Sequence, residues 1–183
     1  MDHVTDIRAR IDADAFLQAE INRALLAIAD SMSQGSDLRL VRILVRTLET
    51  SWAEHVTFQD EVVFPIVLGR HIRGVAPIVG RLRSDHVRIG ECNADIGKRL
   101  DRLLLGQPSN PAELEAALKA AFELRRDHLH VDAELNGWLP ATFSAAEVSL
   151  CCFWEMGRAP PRFPLNLLKG IGPRAFRFGG RPH

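Results

Sequence analysis

Apolar residues recur at three- and four-residue spacing along most of the chain, and no stretch of useful length alternates as a strand would. The spacing predicts a first helix from about Asp14 to Ser33, with Phe16, Leu17, Ile21, Leu25, Ile28 and Met32 on one face. Gln34-Gly35-Ser36 breaks it, and Ser36 or Asp37 can cap the next helix. That second helix is expected from about Asp37 to Phe64, with the stripe Val41, Leu44, Val45, Leu48, Trp52, His55, Gln59, Val62 and Ile66; Pro65 should end or kink it. A third helix is expected over roughly Pro77 to Leu105, with Ile78, Leu82, His86, Ile89, Asn93, Ile96, Leu100 and Leu103 on one face. Gly106 stands where a C-terminal capping glycine belongs.

The fourth helix has the clearest start signal. Asn110-Pro111-Ala112-Glu113 offers an N-cap, a proline at the first helical position and a Glu that can reach back. Its stripe runs Leu114, Leu118, Ala121, Leu124 and Arg125, His128, Asp132, Leu135 and Leu139. Ser144 and Glu147 form a second capping box, opening a short helix to about Met156. The fold class expected is therefore all-α: an antiparallel, up-down four-helix bundle over residues 1–143. A short fifth helix and a basic, Pro/Gly-rich C-terminal extension over 144–183 should pack on it.

Composition narrows the function without choosing it. The hydrophobic share of 46% and charged share of 25% are those of a globular chain, not a disordered one. Formal net charge is zero, which gives no reason to expect nucleic acid as a partner. The balance is uneven, because the stretch from Gly157 onward holds six basic residues and no acidic ones. The polar start Met1-Asp2-His3-Val4-Thr5-Asp6 lacks a signal-peptide core, and no apolar run is long enough for a membrane span. Three cysteines without zinc-ribbon spacing, two of them the adjacent Cys151 and Cys152, fit a reducing, cytoplasmic compartment.

The candidate chemistry lies where polar residues interrupt the stripes. His55 and Gln59 are four apart in the second stripe, His86 is central in the third, and His128 and Asp132 are four apart in the fourth. Residues four apart stack on one helix face, so each pair can aim two donor groups at one interior point. Burying an imidazole and a carboxylate costs several kcal/mol unless something satisfies them, and a metal ion does. One such histidine is usually a hydrogen-bonded core residue; three on successive stripes point to a metal site. His130 and Glu134 make a competing pair, but their face carries Arg126, Asp127 and Gly137, so His128 and Asp132 are expected inside.

With these residues in view, the sequence resembles the hemerythrin-like, or HHE cation-binding, family. His55-Val-Thr-Phe-Gln59-Asp60-Glu61-Val-Val-Phe-Pro65 is similar to its second-helix signature, Asp85-His86 to the acidic-His step of its third helix, and His128-Leu-His-Val-Asp132 to its fourth-helix pair. The resemblance spans roughly residues 12 to 170. It implies a carboxylate-bridged pair of irons in the bundle core, and roles in binding dioxygen or nitric oxide, sensing oxygen or iron, or handling peroxide. Two positions depart from the pattern. Ile21 stands where the first helix should offer a histidine, with Glu20 at the flank of the stripe, and Gln59 replaces the second-helix carboxylate.

What remains is His55, His86, His128 and Asp132, a set suited to one ion. Iron is the first expectation and zinc the second. The chain is expected to bind, sense or store metal, O2 or NO, without catalysis, and a homodimer is the one assembly considered. The competing reading is a metal-free bundle of the same ancestry serving as an interaction or regulatory module. An oxidase- or peroxidase-like di-iron enzyme ranks last, because the stripes hold too few carboxylates. No nucleophile elbow, P-loop or dinucleotide fingerprint is present.

Overall fold

The computed structural model describes residues 7–32, 37–139 and 142–156. These fold as α1 (Ile7–Ser31), α2 (Leu38–Phe58), a π-helical turn (Gln59–Val63), α3 (Phe64–Gly69), α4 (Val75–Leu104), α5 (Pro111–Gly137) and α6 (Ala145–Met156). The chain is all-α, with no strand among the described residues. No helix among them is long and apolar enough to cross a membrane. The basic tail from Gly157, along with His3 and His183, lies outside the described residues.

Each long helix packs on two others, α1 against α2 and α5, and α4 against α2 and α5. Contacting residues run in opposite senses. Asp14 meets His55 while Gln18 meets Ser51, and Arg8 meets Asn136 while Asn22 meets Phe122. Arg42 pairs with Asp101 and Arg83 with Asp60 in the same opposed order.

Local signals set several ends. Asp37 accepts from the Arg39 N–H at 2.8 Å to cap α2, and Asn110 accepts from the Ala112 N–H at 3.0 Å to cap α5. Glu113 does not reach back to the cap as expected; it pairs with Arg99 at 3.0 Å. The Ser144/Glu147 box forms in both directions, with the Ser144 N–H donating to Glu147 and the Glu147 N–H to Ser144 Oγ.

Two expectations on the helices need correction. The first helix begins at Ile7, seven residues before the expected start, and its buried face is Ile7, Ile11, Asp14, Gln18, Ile21, Leu25 and Ile28. Phe16, placed on that face by sequence, is 58% exposed. Pro65 does not end the second helix either. The π turn precedes it, with the Phe64 N–H bonded to the Gln59 carbonyl, and the helical path runs on through Pro65 into α3.

The core is divided. One apolar cluster holds Ile7, Ile11, Phe58, Val62, Phe64, Val79, Leu82, Val131 and Leu135. The other holds Ile21, Leu25, Ile28, Val41, Leu44, Leu48, Ile96, Leu100 and Leu118. Along every long helix, buried polar residues separate the two: Asp14 and Gln18 on α1, Ser51 and His55 on α2, His86 and Asn93 on α4, Arg125 and His128 on α5. A helix stripe that is apolar, then polar, then apolar again gives up hydrophobic burial at mid-bundle. That layer is where chemistry can sit.

Candidate metal centre

Three imidazoles meet in this layer. His55 and His128 are fully buried and His86 is 5% exposed. Their ring centroids lie 5.4 Å (His55–His128), 5.7 Å (His55–His86) and 5.0 Å (His86–His128) apart. One nitrogen from each falls within 4.8 Å of the other two. His55 Nε2 and His128 Nε2 are 3.1 Å apart. Two nitrogens bound at about 2.0–2.1 Å to one tetrahedral ion sit about 3.4 Å apart, so this pair already has a chelating separation.

The α1 contribution is Asp14, whose Oδ2 lies 2.6 Å from His55 Nδ1. An ionised carboxylate can only accept, so Nδ1 carries the proton and His55 Nε2 presents its lone pair inward. This is the carboxylate–histidine arrangement that orients metal-binding imidazoles. His128 Nε2–H then donates to His55 Nε2, and His86 Nε2–H donates to Gln59 Oε1 at 2.9 Å. Those tautomers leave lone pairs on His128 Nδ1, which has no hydrogen-bond partner, and on His86 Nδ1, which has none closer than the Asp60 carboxylate at 4.0 Å. The layer is therefore hydrogen-bonded as it stands, and seating an ion between His55 Nε2 and His128 Nε2 would move the His128 proton to Nδ1.

Gln59 carries the set onward, its Nε2 donating to Asp132 Oδ1 in a short contact. Asp132 is 2% exposed and reaches the histidines through this amide. Of the four residues expected from sequence, three form the cluster and the carboxylate stands one hydrogen bond behind it. The register expected for α5 holds, since His130 and Glu134 are exposed. The α1 expectation does not. Ile21 lies in the second apolar cluster, beyond the histidine level, and Glu20 pairs with Arg23 at the flank of α1. The contacts Asp14–His55 and Gln18–Ser51 set the register of α1 on α2, and they put Asp14 and Gln18, not Ile21, at the histidine level.

Trp52 and Arg125 complete the layer. The Trp52 ring lies 5.0 Å from His55, 5.1 Å from His128 and 5.6 Å from His86, with its Nε1–H donating to the His86 carbonyl at 3.4 Å. The Arg125 guanidinium carbon sits 4.7 Å from the Trp52 ring centroid. Its Nη2 donates to Gln18 Oε1 at 2.7 Å, while Nε and Nη1 have no hydrogen-bond partner. Sequence reasoning gave Asp14, Gln18 and Arg125 no role and read Trp52 as plain core. The signal for Asp14 was present, in the unbroken four-three spacing from Ile7 to Ile28.

The electrostatics favour neutral, metal-ready imidazoles. Burial lowers His128 to about 2, helped by His55, His86 and Arg125. Burial, with His55 nearby, lowers His86 to about 4. Burial raises Asp132 to about 6, still mainly a carboxylate at neutral pH, and pulls Arg125 down to about 10, where it stays a cation. At neutral pH no proton competes with an ion for His86 or His128. The residues present thus fit one ion held by nitrogen. They do not fit a carboxylate-bridged pair, because Asp132 is held by the Gln59 amide and no second carboxylate among the described residues joins the three histidines.

No protein-family model, no curated protein and no solved structure matches the chain.

Proposed function

We propose that this chain is a hemerythrin-like metal-binding protein holding a single ion, iron in the first instance and zinc in the second, on His55, His86 and His128. Its role is to bind, sense or store the metal, or O2 or NO through it, rather than to turn over a substrate. The observation that carries the reading is the convergence of three buried imidazole nitrogens within 4.8 Å of one another. Asp14 supports it by fixing the tautomer of His55 so that Nε2 faces His128. The order of the helix motifs quoted above favours the family; the loss of the second-helix carboxylate at Gln59 favours one ion over two.

Elemental analysis of the purified, untagged protein tests it. About one iron or zinc per chain is expected, lost in His128→Ala and retained in His130→Ala, whose side chain is exposed. Loss in His130→Ala alone would overturn the site.

One observation favours a second reading. The hydrogen bonds His55–His128, His86–Gln59 and Gln59–Asp132 connect the layer without an ion. A metal-free bundle serving as an interaction or regulatory module would show no metal even after anaerobic loading with ferrous iron.

A further inference from the structure

The histidine cluster has an unusual neighbour. Arg125 is fully buried, lies one helical turn from His128 on α5, and stacks on the indole that all three imidazoles touch. Its hydrogen-bonding partner, Gln18, is neutral, and two of its three nitrogens have no partner. The buried carboxylate whose charge bears on it is Asp14, which is already engaged with His55. A fixed positive charge in a low-dielectric layer repels any cation brought to the same layer, and the repulsion grows in proportion to that cation's charge.

We infer that Arg125 is a specificity-determining residue, a built-in cation that weakens the histidine site's grip on divalent ions relative to monovalent ones. This rests on the single-ion reading above and adds what sets the charge of the ion it prefers. Gln18 is part of the device. A carboxylate at that position would neutralise the guanidinium, whereas the amide orients it and leaves its charge intact. Arg125 does not touch the ion; it acts through the field it imposes across Trp52.

The test compares Zn(II) and Cu(I) affinities, measured by competition with chromophoric chelators under anaerobic conditions, in the parent protein, Arg125→Leu and Gln18→Glu. The two substitutions remove the net charge in different ways, one by deletion and one by pairing, so a packing defect in either is exposed by the other. Melting curves establish that each is folded. Both variants are expected to bind Zn(II) about tenfold or more tighter than the parent. The gain for Cu(I) should be about the square root of the gain for Zn(II), because the ion carries half the charge. A structural role for Arg125 would predict weaker binding in Arg125→Leu, no change in Gln18→Glu and no dependence on ion charge.

Equal affinities in all three proteins would overturn the inference while leaving the single-ion site standing. Metal binding in the two variants but not in the parent would support the inference and overturn the reading that the parent holds an ion. No binding in any of the three would overturn both.

Discussion

Asp14 shows how much one side chain can add to a site that sequence spacing only outlines. Its carboxylate holds His55 Nδ1 at 2.6 Å and so turns the Nε2 lone pair toward His128. Asp14→Leu keeps the size but removes the acceptor, so nothing holds the imidazole proton on Nδ1 or the Nε2 lone pair toward His128. Metal affinity should fall 10- to 100-fold, the usual effect of losing such an orienting partner, with little change in melting temperature in the metal-free form. An unchanged affinity in chelator competition would mean that His55 does not use Nε2 for the ion. The histidines themselves were legible because each interrupts an apolar stripe. Asp14 was not, because the first helix was expected to open at that residue and Phe16, which is exposed, was set on its buried face; Ile21, Leu25, Ile28 and Met32 of that face are buried. Arg125 stood in the predicted stripe of α5, but nothing in a sequence says that an arginine there will be left without a carboxylate.

At the level of elements, ends defined by short-range chemistry were readable and ends defined by packing were not. The Asn110 cap and the Ser144/Glu147 box need only residues two or three apart, and both formed. The π turn at Gln59–Val63 has no comparable local signature. It inserts a wider turn just before Pro65, so the helical path continues into α3 and its buried Phe64, Ile66 and Val67. The attachment of α6 is likewise a tertiary matter. Glu147 caps α6 and also takes two hydrogen bonds from Arg70, at 2.9 and 2.7 Å, which hold its carboxyl down at about 2. Cys151, buried against the first apolar cluster, adds the apolar part of that attachment. Glu147→Ala removes cap and tether together. Faster amide exchange throughout α6 is expected, while α4 and α5 keep their protection. Equal loss of protection in all three helices would mean that α6 does not open as a unit of its own.

For the whole molecule, the divided core makes stability depend on pH in a way that an apolar core would not. His86 and His128 drop from 6.5 in the unfolded chain to about 4 and about 2 in the folded protein. A base whose affinity for protons falls on folding stabilises the fold above its unfolded value, and that contribution is lost as pH falls below it. Asp132 works in the opposite sense. Its value rises from 3.8 to about 6, so the folded state takes up its proton first as pH drops through that interval, which offsets one histidine. At pH 6.5 the two histidines of the unfolded chain are each half protonated, so it already holds about one proton more than the folded one. From about 6 down to about 4 the net excess is one, worth about 1.4 kcal/mol for each pH unit. The melting temperature of the metal-free protein should fall by roughly 4–8 °C between pH 6.5 and pH 5. Glu147 stays out of this window, because its lowered value stabilises the fold above about 4.5 and is lost only in stronger acid. In His128→Asn one of the two opposing histidines is gone, the excess between 6 and 4 vanishes, and the acid limb should flatten. A parent protein whose melting temperature is level from pH 6.5 to 5 would mean that the histidine layer admits water and protons freely, and it could not then be the dry, neutral donor set on which the metal reading depends.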